Sequence, residues 1–165
     1  MLIMSLETKK CMNKLLLSDT FDHYQFIEGE ITTFNKFHID GYLKKDFYDS
    51  DTVEIPANQH YSFWKDIRDF CFTIIKGKRT PLDFRFVLAL SQENTEKFLA
   101  AESLSFTPLD VQGLYLNFKY DGTHLTCTTG TSMNLFTLDK SLDHAWDKMV
   151  QKIFLKYEIN YELSE

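Results

Sequence analysis

Between Thr126 and Ser132 the chain sets hydroxyls at Thr126, Thr128, Thr129, Thr131 and Ser132 around one glycine, Gly130. Hydroxyls and exposed main-chain amides can together hold an anion. The stretch "TTGTS" lacks the lysine and the strand-loop-helix setting of a P-loop, so a polar strand end with a bulge at Gly130 is the competing reading. A second segment, "KGKRTP", puts Lys76, Lys78 and Arg79 beside Thr80, the one dense basic cluster of the chain. Such cations can grip phosphate or carboxylate. The ordinary account is that Lys76 complements the negative end of a helix and the other charges are solvated. If the two segments meet in the fold, Lys76, Lys78, Arg79, Thr80, Thr129, Thr131 and Ser132 form one site for a small anion or nucleotide.

Catalytic chemistry has less to work with. His38 and Asp40 share a face if their segment is a strand, as an acid and base or a metal pair would, and a solvated polar face accounts for them equally well. The sequence contains no HExxH, CxxC or GxSxG motif. No catalytic residue, metal or cofactor is therefore expected, and an enzyme at His38 and Asp40 remains a rival reading. Cys11, Cys71 and Cys127 are odd in number and sit among apolar neighbours, which reads as reduced core thiols.

The elements that must position these residues follow from periodicity. "MLIMSL" suits a strand, and "ETKKCMNKLLL" puts Cys11, Met12, Leu15 and Leu16 on one helical face. Two strands are expected between Tyr24 and Leu43, turning near Glu28 and Gly29, with Lys36, His38 and Asp40 opposite Phe37 and Ile39. A polar loop follows, with room for a short strand around Val53 and Ile55. The next helix carries Phe63, Trp64, Ile67, Phe70, Cys71, Ile74 and Ile75 as one stripe, with Ser62 at its start and Gly77 past its end. "LDFRFVLALS" alternates as a strand nearly buried on both sides. A short helix is expected at about 94–101, then a hairpin whose two-residue turn is Asp121 and Gly122. That hairpin puts Tyr115, Asn117 and Lys119 on a face with Thr126 and Thr128. A last helix buries Leu142, Trp146, Val150 and Phe154.

These elements define an α+β protein, a single domain over 1–165, with antiparallel β-sheet and helices packed on one face. Trp64 and Trp146 stand half a chain apart in the first turns of the two long helices. The order of elements permits two β-α-β-β-α pseudo-repeats, 1–80 and 81–165, an arrangement that resembles duplicated saddle folds such as the TATA-binding-protein-like class and implies no function.

With 44% hydrophobic residues and 15 Phe, the chain can bury an aromatic core. The net charge of −6 disfavours nucleic acid and anionic membrane as partners. The aromatics of the first half could stack bases on an open sheet face, but neighbours such as Asp22, Glu28 and Glu30 repel phosphate, so a protein partner suits an exposed aromatic patch better. The start has no signal-peptide pattern and no apolar run reaches membrane length, so a cytoplasmic protein is expected.

The stretches "KLLLSDTFDHYQFIEGEITTFNKFHIDGYL", "WKDIRDFCFTIIKGKRTPLDFRFVLAL" and "GLYLNFKYDGTHLTCTTGTSMNLFTLDKSLDHAWDKMV", with their spacing, resemble a bacterial family called domain of unknown function 5721. The resemblance implies a single-domain bacterial protein of this size and carries no activity, cofactor or catalytic residue. The expected function is a non-catalytic binding or scaffolding module that engages another protein or itself. Its rivals are the anion or nucleotide binder and the enzyme already described.

Overall fold

The computed structural model describes residues 1–48 and 54–164. Seven strands form one antiparallel sheet, with β1 (Ile3–Leu6), β2 (Gln25–Thr32), β3 (Lys36–Asp40), β4 (Asp83–Ala89), β5 (Val111–Tyr120), β6 (Leu125–Met133) and β7 (Tyr161–Leu163). Their spatial order is β3-β2-β4-β5-β6-β1-β7. Four helices, α1 (Thr8–Leu16), α2 (Trp64–Ile75), α3 (Gln92–Ala101) and α4 (Ser141–Lys156), pack on one face of it. None of them is long and apolar enough to cross a membrane.

Strand alternation decides which residues meet the helices. Phe84, Phe86 and Leu88 of β4, Leu116 and Phe118 of β5, and Leu125 and Cys127 of β6 point inward and are buried. Trp64 packs on Phe26 and Phe86 with ring centroids 5.6 and 5.1 Å away, and donates its indole N–H to the Leu15 carbonyl at 2.7 Å. Trp146 meets Phe98 edge-on at 5.9 Å and donates to the Tyr115 carbonyl at 3.1 Å. Each indole thus joins a helix to a second element through both its area and its polar end. Asp22, buried in the segment after α1, accepts from Arg68 of α2 at 2.7 Å, which satisfies a carboxylate that burial would otherwise penalise.

Several local expectations are corrected. The turn expected near Glu28 and Gly29 lies instead at 33–35, because β2 runs straight through Gly29. There the Phe86 and Phe26 rings occupy the space a side chain would need, so this glycine makes room for packing and not for a bend. Of the strand expected around Val53 and Ile55, Val53 lies outside the described residues and Ile55 is not in a strand. Helix α2 starts with Phe63 at its N-cap and takes no side-chain cap from Ser62. Phe70 is 68% exposed, one 100° step outside the stripe centred on Trp64, Cys71 and Ile75. Strand β4 is fully buried on one face, while on the other Arg85 and Val87 are half-buried and Ala89 alone is buried.

The hairpin has four connecting residues where two are expected. The Asp121 carboxylate accepts from the Thr123 and His124 amides at 2.9 and 2.7 Å, and Gly122 takes a φ of +100°, so the side chain builds a wider turn. The shared face survives this change, but the register moves by two residues, so Asn117 pairs with Thr128 and Lys119 with Thr126. The bulge falls in β5 between Val111 and Gly113, whereas Gly130 pairs regularly with Tyr115.

Candidate functional site

Among the described residues the outer face of the sheet carries no α-helix. Its middle is a row of polar residues, His38, Glu30, Arg85, Lys119, Thr126 and Ser5, set side by side by strand register. Its charges largely neutralise one another: Arg85 lies 3.1 Å from Glu28 and Lys36 lies 3.5 Å from Glu30. Toward the opposite strand ends the charges stop, and Gln25, Ala89, Tyr115 and Gly130 follow one another across β2, β4, β5 and β6.

Two loops rise over this uncharged end and make a cleft of about 330 Å³. On one side, residues 59–63 are stitched between strands: Leu43 N–H donates to the His60 carbonyl at 2.8 Å, Ser62 N–H to Gly41 at 3.0 Å and Phe26 N–H to Ser62 at 2.7 Å. That places Asn58, His60 and Tyr61 on the wall. On the other side, Thr107 and Asp110 cap a short turn that starts at Pro108, and Asn134 ties it down by donating to the Leu109 and Asp110 carbonyls at 2.9 and 2.8 Å. The first turn of α3 adds Gln92 and Thr95, and a second lobe of about 360 Å³ shares Gln25, Asn58 and Gln92 with the first.

Among the described residues, the 330 Å³ lobe is lined without a single Asp, Glu, Lys or Arg, in a chain of which 25% is charged. Its polar groups are the side-chain amides of Gln25, Asn58, Gln92, Gln112 and Asn134, with His60 and the phenols of Tyr61 and Tyr115. An amide presents one acceptor and two donors at fixed angles, the complement of a peptide group. Burial, and then the neighbouring Tyr61 phenol, push the Tyr115 hydroxyl up from its ordinary pKa, so it stays a neutral donor and acceptor. The Tyr115 ring lies across the place that a side chain on Gly113 would occupy, so Gly113 sets the floor of the cleft. Leu109, on the rim, is 86% exposed, and Phe136 and Leu138, in the segment that Asn134 anchors, are 90% and 82% exposed.

The residues singled out from the sequence lie elsewhere. Lys76, Lys78, Arg79 and Thr80 are exposed in the loop before β4, at the Tyr120 end of the sheet, since Leu82 follows them and Phe84 pairs with Tyr120. Thr131 pairs with Leu114 toward the opposite end, about 20 Å along β6 from Leu125. The structure does not bring the two segments together. Thr129 and Thr131 point to the helix side, where their hydroxyls donate to Asp147 and Asp143 of α4. A carboxylate on each hydroxyl opposes a second anion there. Ser132 donates to Gln112 at 2.6 Å, so it alone of the group borders the cleft.

His38 and Asp40 are exposed on the edge strand β3. The Tyr42 backbone N–H, and then the Lys44 ammonium, hold the Asp40 carboxyl below its ordinary range, both from within the same strand end. The three cysteines are free and buried, and burial pushes the Cys11 and Cys71 thiols to about 12, which leaves them protonated and poorly nucleophilic. Among the described residues no three His, Cys, Asp or Glu converge as a metal site. The cleft was missed because its amides come from "NQHY", "SQEN" and "VQG", short polar runs that read as solvated loops. Only the fold collects them.

The molecule is thus an α+β protein with an antiparallel sheet backed by helices on one face and an uncharged cleft on the other. The chain belongs to the family of unknown function DUF5721, whose sequence profile matches residues 14–162. No curated protein and no solved structure matches it.

Proposed function

We propose that the protein is a non-catalytic binding module that takes an extended, uncharged stretch of a partner protein into the amide-lined cleft. One observation carries this reading: among the described residues the lining has five side-chain amides and aromatic rings with no Asp, Glu, Lys or Arg, bordered by the exposed Leu109. Main-chain N–H and C=O groups of an extended peptide need partners when they leave water, and side-chain amides supply both kinds. Apolar side chains of the partner have Leu109 to cover, in keeping with the apolar, charge-depleted centre of protein interfaces.

A random-peptide display library panned against the immobilised protein tests the reading, with the double variant Asn58→Asp/Gln92→Glu as comparator. Both positions are exposed, and a carboxylate in the first turn of α3 suits the helix dipole, so the variant keeps its fold. The expected peptides are uncharged at their centre and bind the variant at least tenfold more weakly, because each new carboxylate loses two donors and repels carbonyl oxygens. Peptides that bind both proteins equally, or a selection dominated by charged sequences, would overturn it.

A further inference from the structure

On the helix side of the molecule, residues of α3 and α4 line an open groove of about 590 Å³, within the range of about 300–1,000 Å³ typical of small-molecule sites. Both helices present residues at helical spacing to it: Phe98 and Ala101 from α3, Met149 and Ile153 from α4. Leu90 and Tyr24 complete an apolar floor.

The rim is cationic, which is unusual for a chain of net charge −6. Lys97 is already paired with Glu93 at 3.1 Å. Lys152 and Lys156, one helical turn apart on α4, have no carboxylate within ion-pair distance among the described residues, and the Lys156 ammonium lies 5.4 Å from the centre of the Tyr157 ring. The last turn of α4 accounts for Lys156 through the helix dipole, but Lys152 stands a turn earlier, and like charges four residues apart repel. Glu102, the acidic residue among the groove's described lining, caps the C-terminal end of α3.

We infer that this groove binds a medium-chain fatty carboxylate, its chain on the floor of Leu90, Phe98, Met149 and Ile153 and its carboxylate between the Lys152 and Lys156 ammoniums. Each part of that ligand answers one feature. The alkyl chain removes apolar floor from water, and the head relieves the repulsion between two unpaired cations. A flexible chain also suits an open trough between helices better than a flat, rigid ring would.

The test is calorimetric titration of the full chain with dodecanoate below its micellar concentration. Lys152→Gln/Lys156→Gln is the informative variant, and Lys9→Gln/Lys10→Gln, exposed on α1 and outside the groove's lining, is the control. All four positions are exposed, so both variants keep the native fold. One dodecanoate is expected to bind per chain, with at least tenfold weaker binding to the Lys152/Lys156 variant, unchanged binding to the control, and no heat from acetate at the same concentration. Absence of one-to-one binding, equal affinity in the Lys152/Lys156 variant, or a matching response to acetate would each overturn the proposal. The amide-lined cleft shares no residue with these substitutions, so its own test stands apart from this one.

Discussion

Thr129 shows how a residue suited to ligand binding becomes part of the scaffold. Its hydroxyl donates to Asp147 at 2.6 Å and accepts from the Leu2 N–H at 2.8 Å, while Asp147 also faces the terminal ammonium of Met1 at 3.3 Å. One buried hydroxyl therefore joins the first strand, β6 and α4. Thr129→Val keeps the shape but leaves a buried N–H and a mostly buried carboxylate oxygen without a partner. It should lower unfolding stability by about 2 kcal/mol in urea titration. Thr131→Val should lose less than about 1 kcal/mol, since Asp143 is nearer solvent and water can replace the hydroxyl. Equal and negligible losses at both positions would mean that neither hydroxyl bonds to α4. Which partner such a hydroxyl takes was not legible in the sequence. Period-two alternation put Thr129 and Thr131 on one side of β6, but not which helix would lie against that side.

At the scale of elements, strong periodicity places the helices and strands, and most departures fall where one side chain overrides a local rule. Helix α4 buries Leu142, Trp146, Val150 and Phe154 as its stripe requires, and α3 starts at the Ser91 cap, two residues earlier than periodicity alone places it. Gly29 misleads because a glycine in a strand can make room for rings as readily as it can turn the chain. Strand β7 gave no signal: three residues are too short for alternation, and only pairing with β1 fixes them. The two tryptophans are the main cross-braces between layers. Trp64→Ala and Trp146→Ala should each cost about 3–5 kcal/mol, whereas Phe70→Ser on the same helix as Trp64 should stay within about 0.5 kcal/mol, all read from denaturant midpoints. A Phe70 variant as damaging as the tryptophan ones would place α2 in the wrong rotation.

For the whole molecule, the sheet separates two environments. The helix side holds the aromatic core and the lysine-edged groove, and the outer side holds neutralised charges that give way to an uncharged cleft at one end. The sequence made the two-faced sheet readable, because alternation is local. It could not make the cleft readable, because Gln25, Asn58, Gln92, Gln112 and Asn134 come from five separate segments. Binding in that cleft is the central claim, and an amide chemical-shift titration of the labelled protein with a selected uncharged peptide tests it most directly. The account predicts saturable shifts concentrated at Gln25, Asn58, Gln92 and Gln112 through Tyr115. Shifts concentrated at Lys76–Thr80, at His38 and Asp40, or along α4 beside Lys152 would contradict it.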